Sequence, residues 1–104
     1  MDRAISCGLI VNELVANAIK YAFSDRKNTE ETIGVYLSKL ADNEILLTIE
    51  DNGVGLPSDF SLEQVRSLGL QLVYNLVNQL GGKIIVNRDF GTEFKIYFPQ
   101  FSNN

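Results

Sequence analysis

The strongest constraint on this chain is its first long segment, residues 3–23, which is apolar enough to belong to a core yet carries polar groups along one side. At about 100° per residue, Glu13, Asn17 and Lys20 fall within an arc of roughly 60° on a single helix. That face offers a carboxylate, a neutral oxygen ligand and a cation to one object. Around it stand Leu9, Ile10, Leu14, Val15, Ala18, Ile19, Ala22 and Phe23, so the helix is expected to be covered over much of its circumference. A carboxylate on such a helix needs a partner or a task, because an unpaired buried charge is costly. Two plain alternatives stay open at this point: Asn17 bonding a neighbouring loop, and Glu13 pairing with Lys20 or Arg26.

The polar stretch 24–31 ends the helix, and from Thr32 the hydrophobic period changes to two. Ile33, Val35 and Leu37 alternate with Gly34, Tyr36 and Ser38, which predicts a strand with one better-buried face. A tight reversal over 41–44 leads into a second strand, 45–50, and the two form a β-hairpin. A glycine-containing loop, 51–57, and a polar segment, 58–67, with room for one short helical turn come next. Residues 68–80 have apolar positions at helical spacing and stop at Gly81-Gly82. Strands 83–87 and 92–98 follow, joined through 88–91, and Pro99 closes the last of them. Helix, two strands, helix, two strands predicts an α+β fold, a two-layer sandwich with a mixed, mainly antiparallel sheet and helices on one face. One domain is expected over 1–99, with 100–104 as a tail. The chain opens directly into its key helix, as a fragment of a longer protein would.

Composition removes several function classes. A net charge of −4 and the lack of a long basic run argue against nucleic acid as a partner. The single cysteine, Cys7, excludes a disulfide framework and is expected to act as a small buried hydrophobe. No apolar run approaches the ~20 residues needed to span a bilayer, so direct membrane contact is not expected and a cytoplasmic location is, whether or not a parent protein is membrane-anchored. The chain contains no histidine. A histidine base, metal ligand or phosphoacceptor within it is thereby excluded.

Three elements carry candidate chemistry. Asp51-Asn52-Gly53-Val54-Gly55 ends an apolar strand and is read either as a turn or as a ligand loop. It fits a calcium loop poorly, because the closing glutamate position falls on Leu62. Nor does it open directly into a helix, as a dinucleotide fingerprint requires. Ser67-Leu68-Gly69-Leu70 begins the second helix and is either a plain cap or a place where free backbone N–H groups meet an anion. The Glu13–Asn17–Lys20 stripe is the third.

Taken in order, Glu13-x-x-x-Asn17-Ala18-x-Lys20-Tyr21, Asp51-x-Gly53-x-Gly55, Leu68-Gly69-Leu70 and Gly91-Thr92 resemble the motifs of the GHKL ATPases, whose fold is the Bergerat ATP-binding fold. The stretches 12–23, 51–57 and 67–73 are most similar to the catalytic ATP-binding domain of a two-component sensor histidine kinase. The resemblance implies ATP and Mg²⁺ as cofactors. It implies Asn17 as the metal residue, and Glu13 as the carboxylate that orients or deprotonates the incoming histidine. Lys20 and Tyr21 would face the phosphates. Asp51 would accept a hydrogen bond from the adenine amine, with Gly53 and Gly55 letting the backbone approach base and sugar. Gly69 and Leu70 would form the hinge and phosphate donors of the ATP lid, and Thr92 a polar contact near adenine. Implied partners are the histidine-bearing dimerisation domain of the same kinase and a downstream response regulator. Two departures stand out. The lid, about 58–68, is short, with Phe60 its only aromatic and Arg66 its only base, so weak affinity in isolation is expected; and the phosphoacceptor is missing. An anti-sigma-type serine kinase and a non-enzymatic nucleotide-binding or docking module are the other readings.

Overall fold

The computed structural model describes residues 2–22, 30–53 and 68–100, with the side chains of residues 21 and 22 outside that description. Helix α1 (Arg3–Asn17) starts at Asp2, whose carboxylate accepts from the free N–H groups of Ala4 at 2.7 Å and Ile5 at 3.2 Å. The expected single helix to residue 23 changes character at Ala18, where a π turn (Ala18–Ala22) takes over. A π turn closes i to i+5 and advances less per residue than an α turn, so the register that stacks Lys20 above Asn17 and Glu13 ends at Asn17. Lys20 is exposed.

The sheet has the order β1-β2-β4-β3, formed by β1 (Ile33–Leu40), β2 (Glu44–Asp51), β3 (Lys83–Asn87) and β4 (Thr92–Pro99). All three described pairings are antiparallel. The β1–β2 reversal runs through Ala41–Asn43, with Asp42 and Asn43 at φ 64° and 58°. Asp and Asn tolerate this left-handed region because their short polar side chains bond locally. Helix α2 (Leu68–Gln79) ends as the double glycine requires. Gly82 N–H donates to the Val77 carbonyl and Gly81 N–H to that of Asn78, both at 3.0 Å, with Gly81 at φ 72°.

Alternation along the strands puts Leu47 and Ile49 of β2 and Phe94, Ile96 and Phe98 of β4 on one face. There they pack with Ile10 and Leu14 of α1 and with Leu70, Val73, Leu76, Val77 and Leu80 along α2 and at its end. The result is the two-layer α+β sandwich expected, with both helices on one side. Coverage is narrower than expected in two places. On α1 the buried line is Ser6, Ile10, Leu14 and Ala18, four residues apart, while Ile5 and Ile19 are exposed. On β1 the predicted better-buried face is open, with Val35 46% and Leu37 70% exposed. β1 is an edge strand, and the helices lie over its inner neighbours. An apolar groove of about 710 Å³ remains between the N-terminal half of α1 and the β1–β2 side of the sheet. Cys7 lines it, and burial pushes its thiol pKa up, which suits the small hydrophobe expected better than a nucleophile. Among the described residues no helix is long and apolar enough to cross a membrane.

Ile96→Ala removes a fully buried side chain from the central strand β4 and is expected to cost about 2–5 kcal/mol, whereas Leu37→Ala on the open edge should stay within about 0.5 kcal/mol. Urea unfolding of the two variants measures the contrast, and equal losses would contradict the placement of the core.

Candidate functional site

β2 ends in a carboxylate because the apolar alternation Leu47, Ile49 reaches Asp51 at the strand terminus. Across the β2–β4 pair Asp51 lies opposite Thr92, and on its other side opposite Ile33. By the same alternation both Asp51 and Thr92 stand on the helix-covered face, and Thr92 is buried. A charged acceptor and a hydroxyl are therefore neighbours at the end of the core, where packing gives way to a site. Asp51 Oδ1 accepts the N–H of Gly53 at 2.8 Å, an Asx turn that aims the carboxylate and turns the chain out of the strand. Gly91, at φ 79°, lets the β3–β4 turn pass against the Asp51 carbonyl, where any Cβ would collide.

Asn52 has a role that its reading as a turn residue does not reveal. Its carboxamide donates to the Glu30 carbonyl at 2.6 Å and accepts from Thr32 N–H at 2.9 Å. Its own N–H donates to the Thr32 carbonyl at 3.3 Å. Together these bonds tie the entry to β1 against the exit of β2. The only sequence signal is the Asn-Gly dipeptide, which reports a turn and not a clamp.

The second half of the site comes from the helices. Arg3, Ala4, Cys7 and Val11 of α1 lie beside Ile45, Leu47, Phe98 and Pro99, near the start of β2 and the end of β4. At 1.5 Å per residue, Glu13 and Asn17 stand roughly 15–20 Å along the helix from Arg3, toward the sheet end that carries Asp51 and Thr92. They meet the first turn of α2 there. A Cβ on Gly69 would lie 2.6 Å from Oε2 of Glu13 and 3.9 Å from Nδ2 of Asn17. Glu13, Asn17 and Gly69, chosen from motifs more than fifty residues apart in the chain, thus form one cluster.

Asn17 Nδ2 is buried and has no hydrogen-bond partner among the described residues. An unsatisfied buried amide costs about 1–3 kcal/mol, a cost that persists in native proteins chiefly where a ligand, ion or water completes the site. Among the described residues no three Asp, Glu, Cys or His side chains converge to cage a metal ion. The hard oxygens on offer at this cluster are those of Glu13 and Asn17, a set that suits an ion completing its shell with waters and phosphates.

The remaining sequence candidates divide. Leu70 puts its side chain into the core, so any contact it makes with a ligand would come from its backbone. Lys20 lies on the π turn and is exposed. The Tyr21 side chain, Gly55 and the lid residues through Ser67, including Phe60 and Arg66, lie outside the described residues.

Comparison with known proteins gives the family and the fold. The family described as histidine kinase-, DNA gyrase B-, and HSP90-like ATPase matches residues 3–102. The sensor histidine kinase PdtaS of Mycobacterium tuberculosis is 37% identical over 101 residues, which cover 94% of this chain and 20% of that protein. Blue-light-activated histidine kinase 2 of Erythrobacter litoralis is 35% identical over 100 residues, covering 95% of this chain and 28% of the relative. The solved histidine kinase domain of the E. litoralis EL346 blue-light-activated kinase superposes with a TM-score of 0.84 at 34% identity, over 93% of this chain and 44% of that one. The chain thus spans less than a third of these two full-length relatives and under half of the solved domain.

Gly91→Ala combines an unfavourable φ with a backbone collision and is expected to cost more than about 1 kcal/mol. Gly8→Ala, in open space on α1, should gain up to about 1 kcal/mol. Thermal unfolding of both variants is the check, and a Gly91→Ala protein as stable as the parent would contradict the close approach to Asp51.

Proposed function

The chain belongs to the histidine kinase-, DNA gyrase B- and HSP90-like ATPases, and from that membership we propose that it is the catalytic domain, residues 1–99, of a cytoplasmic sensor histidine kinase module that transfers the γ-phosphoryl group of Mg-ATP to a histidine on another domain. The observation that carries this reading is the convergence of Glu13 and Asn17, whose buried Nδ2 has no partner among the described residues, on Gly69, on the side of the sheet that ends in Asp51 and Thr92. One end is chemically suited to a base and the other to phosphates and metal.

Asp51 would accept the exocyclic amine of adenine, a donor that guanine lacks at that position, with Thr92 beside it and the Gly53 turn holding the carboxylate in place. Asn17, with Glu13 as its oxygen-bearing neighbour, would hold Mg²⁺; bound there, the ion would neutralise phosphate charge. In the transfer itself the bond from the γ-phosphorus to the β,γ-bridging oxygen breaks, a bond to the imidazole nitrogen forms, and ADP leaves. Glu13 orients the incoming imidazole and takes its proton. Most of the rate then comes from positioning and charge neutralisation, as in phosphoryl transfer generally. Because the chain has no histidine, the acceptor belongs to a partner: the histidine-bearing domain of the same kinase, which in turn passes the group to a response regulator.

Two substitutions test the reading from opposite ends. Asp51→Ala should abolish saturable binding of an ATP analogue in calorimetric titration, and unchanged affinity would remove the adenine assignment. Glu13→Gln should lower histidine phosphorylation in the full-length kinase by about 10²–10⁴-fold at saturating ATP. A normal rate would remove Glu13 from the chemistry.

A further inference from the structure

We infer that Gly69 is a positioning residue for Glu13, an inference that rests on the role proposed for that carboxylate: the missing side chain is the space in which the carboxylate sits. Gly69 is the second residue of α2, and glycine is a poorer helix former than alanine. Its backbone conformation does not call for glycine, because the positive-φ glycines among the described residues are Gly81 and Gly91. What calls for glycine is the neighbour. The atoms nearest to a Cβ at this position would be Oε2 of Glu13 at 2.6 Å, Cδ of Glu13 at 3.4 Å and Nδ2 of Asn17 at 3.9 Å.

Gly34 is crowded by a side chain as well, the Tyr36 ring at 2.7 Å, but on the edge strand away from the motif residues; two further glycines show the contrast. A Cβ on Gly82 or Gly91 would run into the backbone carbonyl of Tyr97 or Asp51, and these glycines serve the architecture. At Gly69 the obstructing group is the end of a flexible side chain. Alanine can therefore be accommodated there in one way, by turning the Glu13 carboxylate out of its seat. The core contacts of α2 need not change, because they come from Leu70, Val73, Leu76 and Val77. A backbone N–H role toward phosphates, by contrast, would survive Gly69→Ala, since alanine keeps the N–H group. The two roles therefore predict different effects.

The test is a double-mutant cycle in the full-length kinase, with Gly69→Ala, Glu13→Asp and the pair. Gly69→Ala alone should lower histidine phosphorylation at saturating Mg-ATP at least tenfold and change ATP-analogue affinity less than threefold. With Glu13→Asp, whose shorter side chain withdraws the carboxylate from α2, the further loss from Gly69→Ala should shrink to less than threefold. Equal fold losses in both backgrounds, or a loss expressed in affinity and not in rate, would overturn the inference. Unfolding midpoints give a readout independent of activity. Gly69→Ala should raise the midpoint in a Glu13→Ala background, where helix propensity acts alone, and raise it less or lower it beside native Glu13; equal shifts in the two backgrounds would overturn the contact. A normal phosphorylation rate in Glu13→Gln would instead remove the catalytic role of Glu13 and leave the contact to be judged by the midpoints.

Discussion

The pairing of β2 with β4 holds the rest of the molecule in place. Its register runs from Glu44 opposite Pro99 to Asp51 opposite Thr92. Leu47 opposite Ile96 and Ile49 opposite Phe94 form the apolar rungs beneath the helices. On the solvent face the same register sets Glu50 against Glu93, a like-charge pair worth roughly 0.2–1 kcal/mol against it; Lys95 reaches Glu93 at only 3.9 Å and offsets little of that. Burial decides the outcome, because each covered aliphatic side chain contributes about 1.5–3 kcal/mol. A slip of one residue would turn the whole apolar set outward. It would also part Asp51 from Thr92, so the interaction that builds the core also sets together the two residues proposed for the adenine end of the site.

The end proposed for the phosphates depends on a different contact, that between α1 and the first turn of α2. α1 is anchored by one line of buried residues, Ser6 to Ala18 at intervals of four. Its polar groups project beside that line. Glu13 and Asn17 can serve a ligand because α2 begins with a residue that takes no space at their position. The same narrow anchoring leaves Ile19 exposed and leaves a groove beside the N-terminal half of the helix. A helix covered on all sides would bury its carboxylate where no substrate could reach it.

Much of this was legible in the chain because two periods, 3.6 and 2, separate helices from strands without ambiguity. The element order, the antiparallel hairpins and the Gly81-Gly82 stop follow from residues whose roles are local, while Glu13, Asn17 and Gly69 are named by the family resemblance and not by any pattern that places them together. What was not legible depends on the neighbours each residue has in three dimensions. The uncovered side of β1 follows from sheet order, since an alternating Ile33, Val35, Leu37 pattern is the same on an edge as in the middle. The π turn at Ala18 breaks the stripe at Lys20 although no proline or glycine marks it. The Asn52 clamp joins residues twenty positions apart through backbone groups that carry no side-chain signature. That Gly69 is needed for space and not for φ becomes visible only once α1 lies against it.

In the function proposed, an adenine nucleotide bridges the Asp51–Thr92 end of the sheet and the Glu13–Asn17–Gly69 cluster. Its most direct test is an amide-resolved NMR titration of the chain with Mg²⁺ and a non-hydrolysable ATP analogue. Saturable shifts should concentrate at Asp51, Gly53, Gly91 and Thr92 and, together with them at the same ligand concentration, at Glu13, Asn17, Gly69 and Leu70. Shifts confined to the groove around Cys7, Val11 and Leu37, or to the open face around Tyr36 and Glu50, would contradict it.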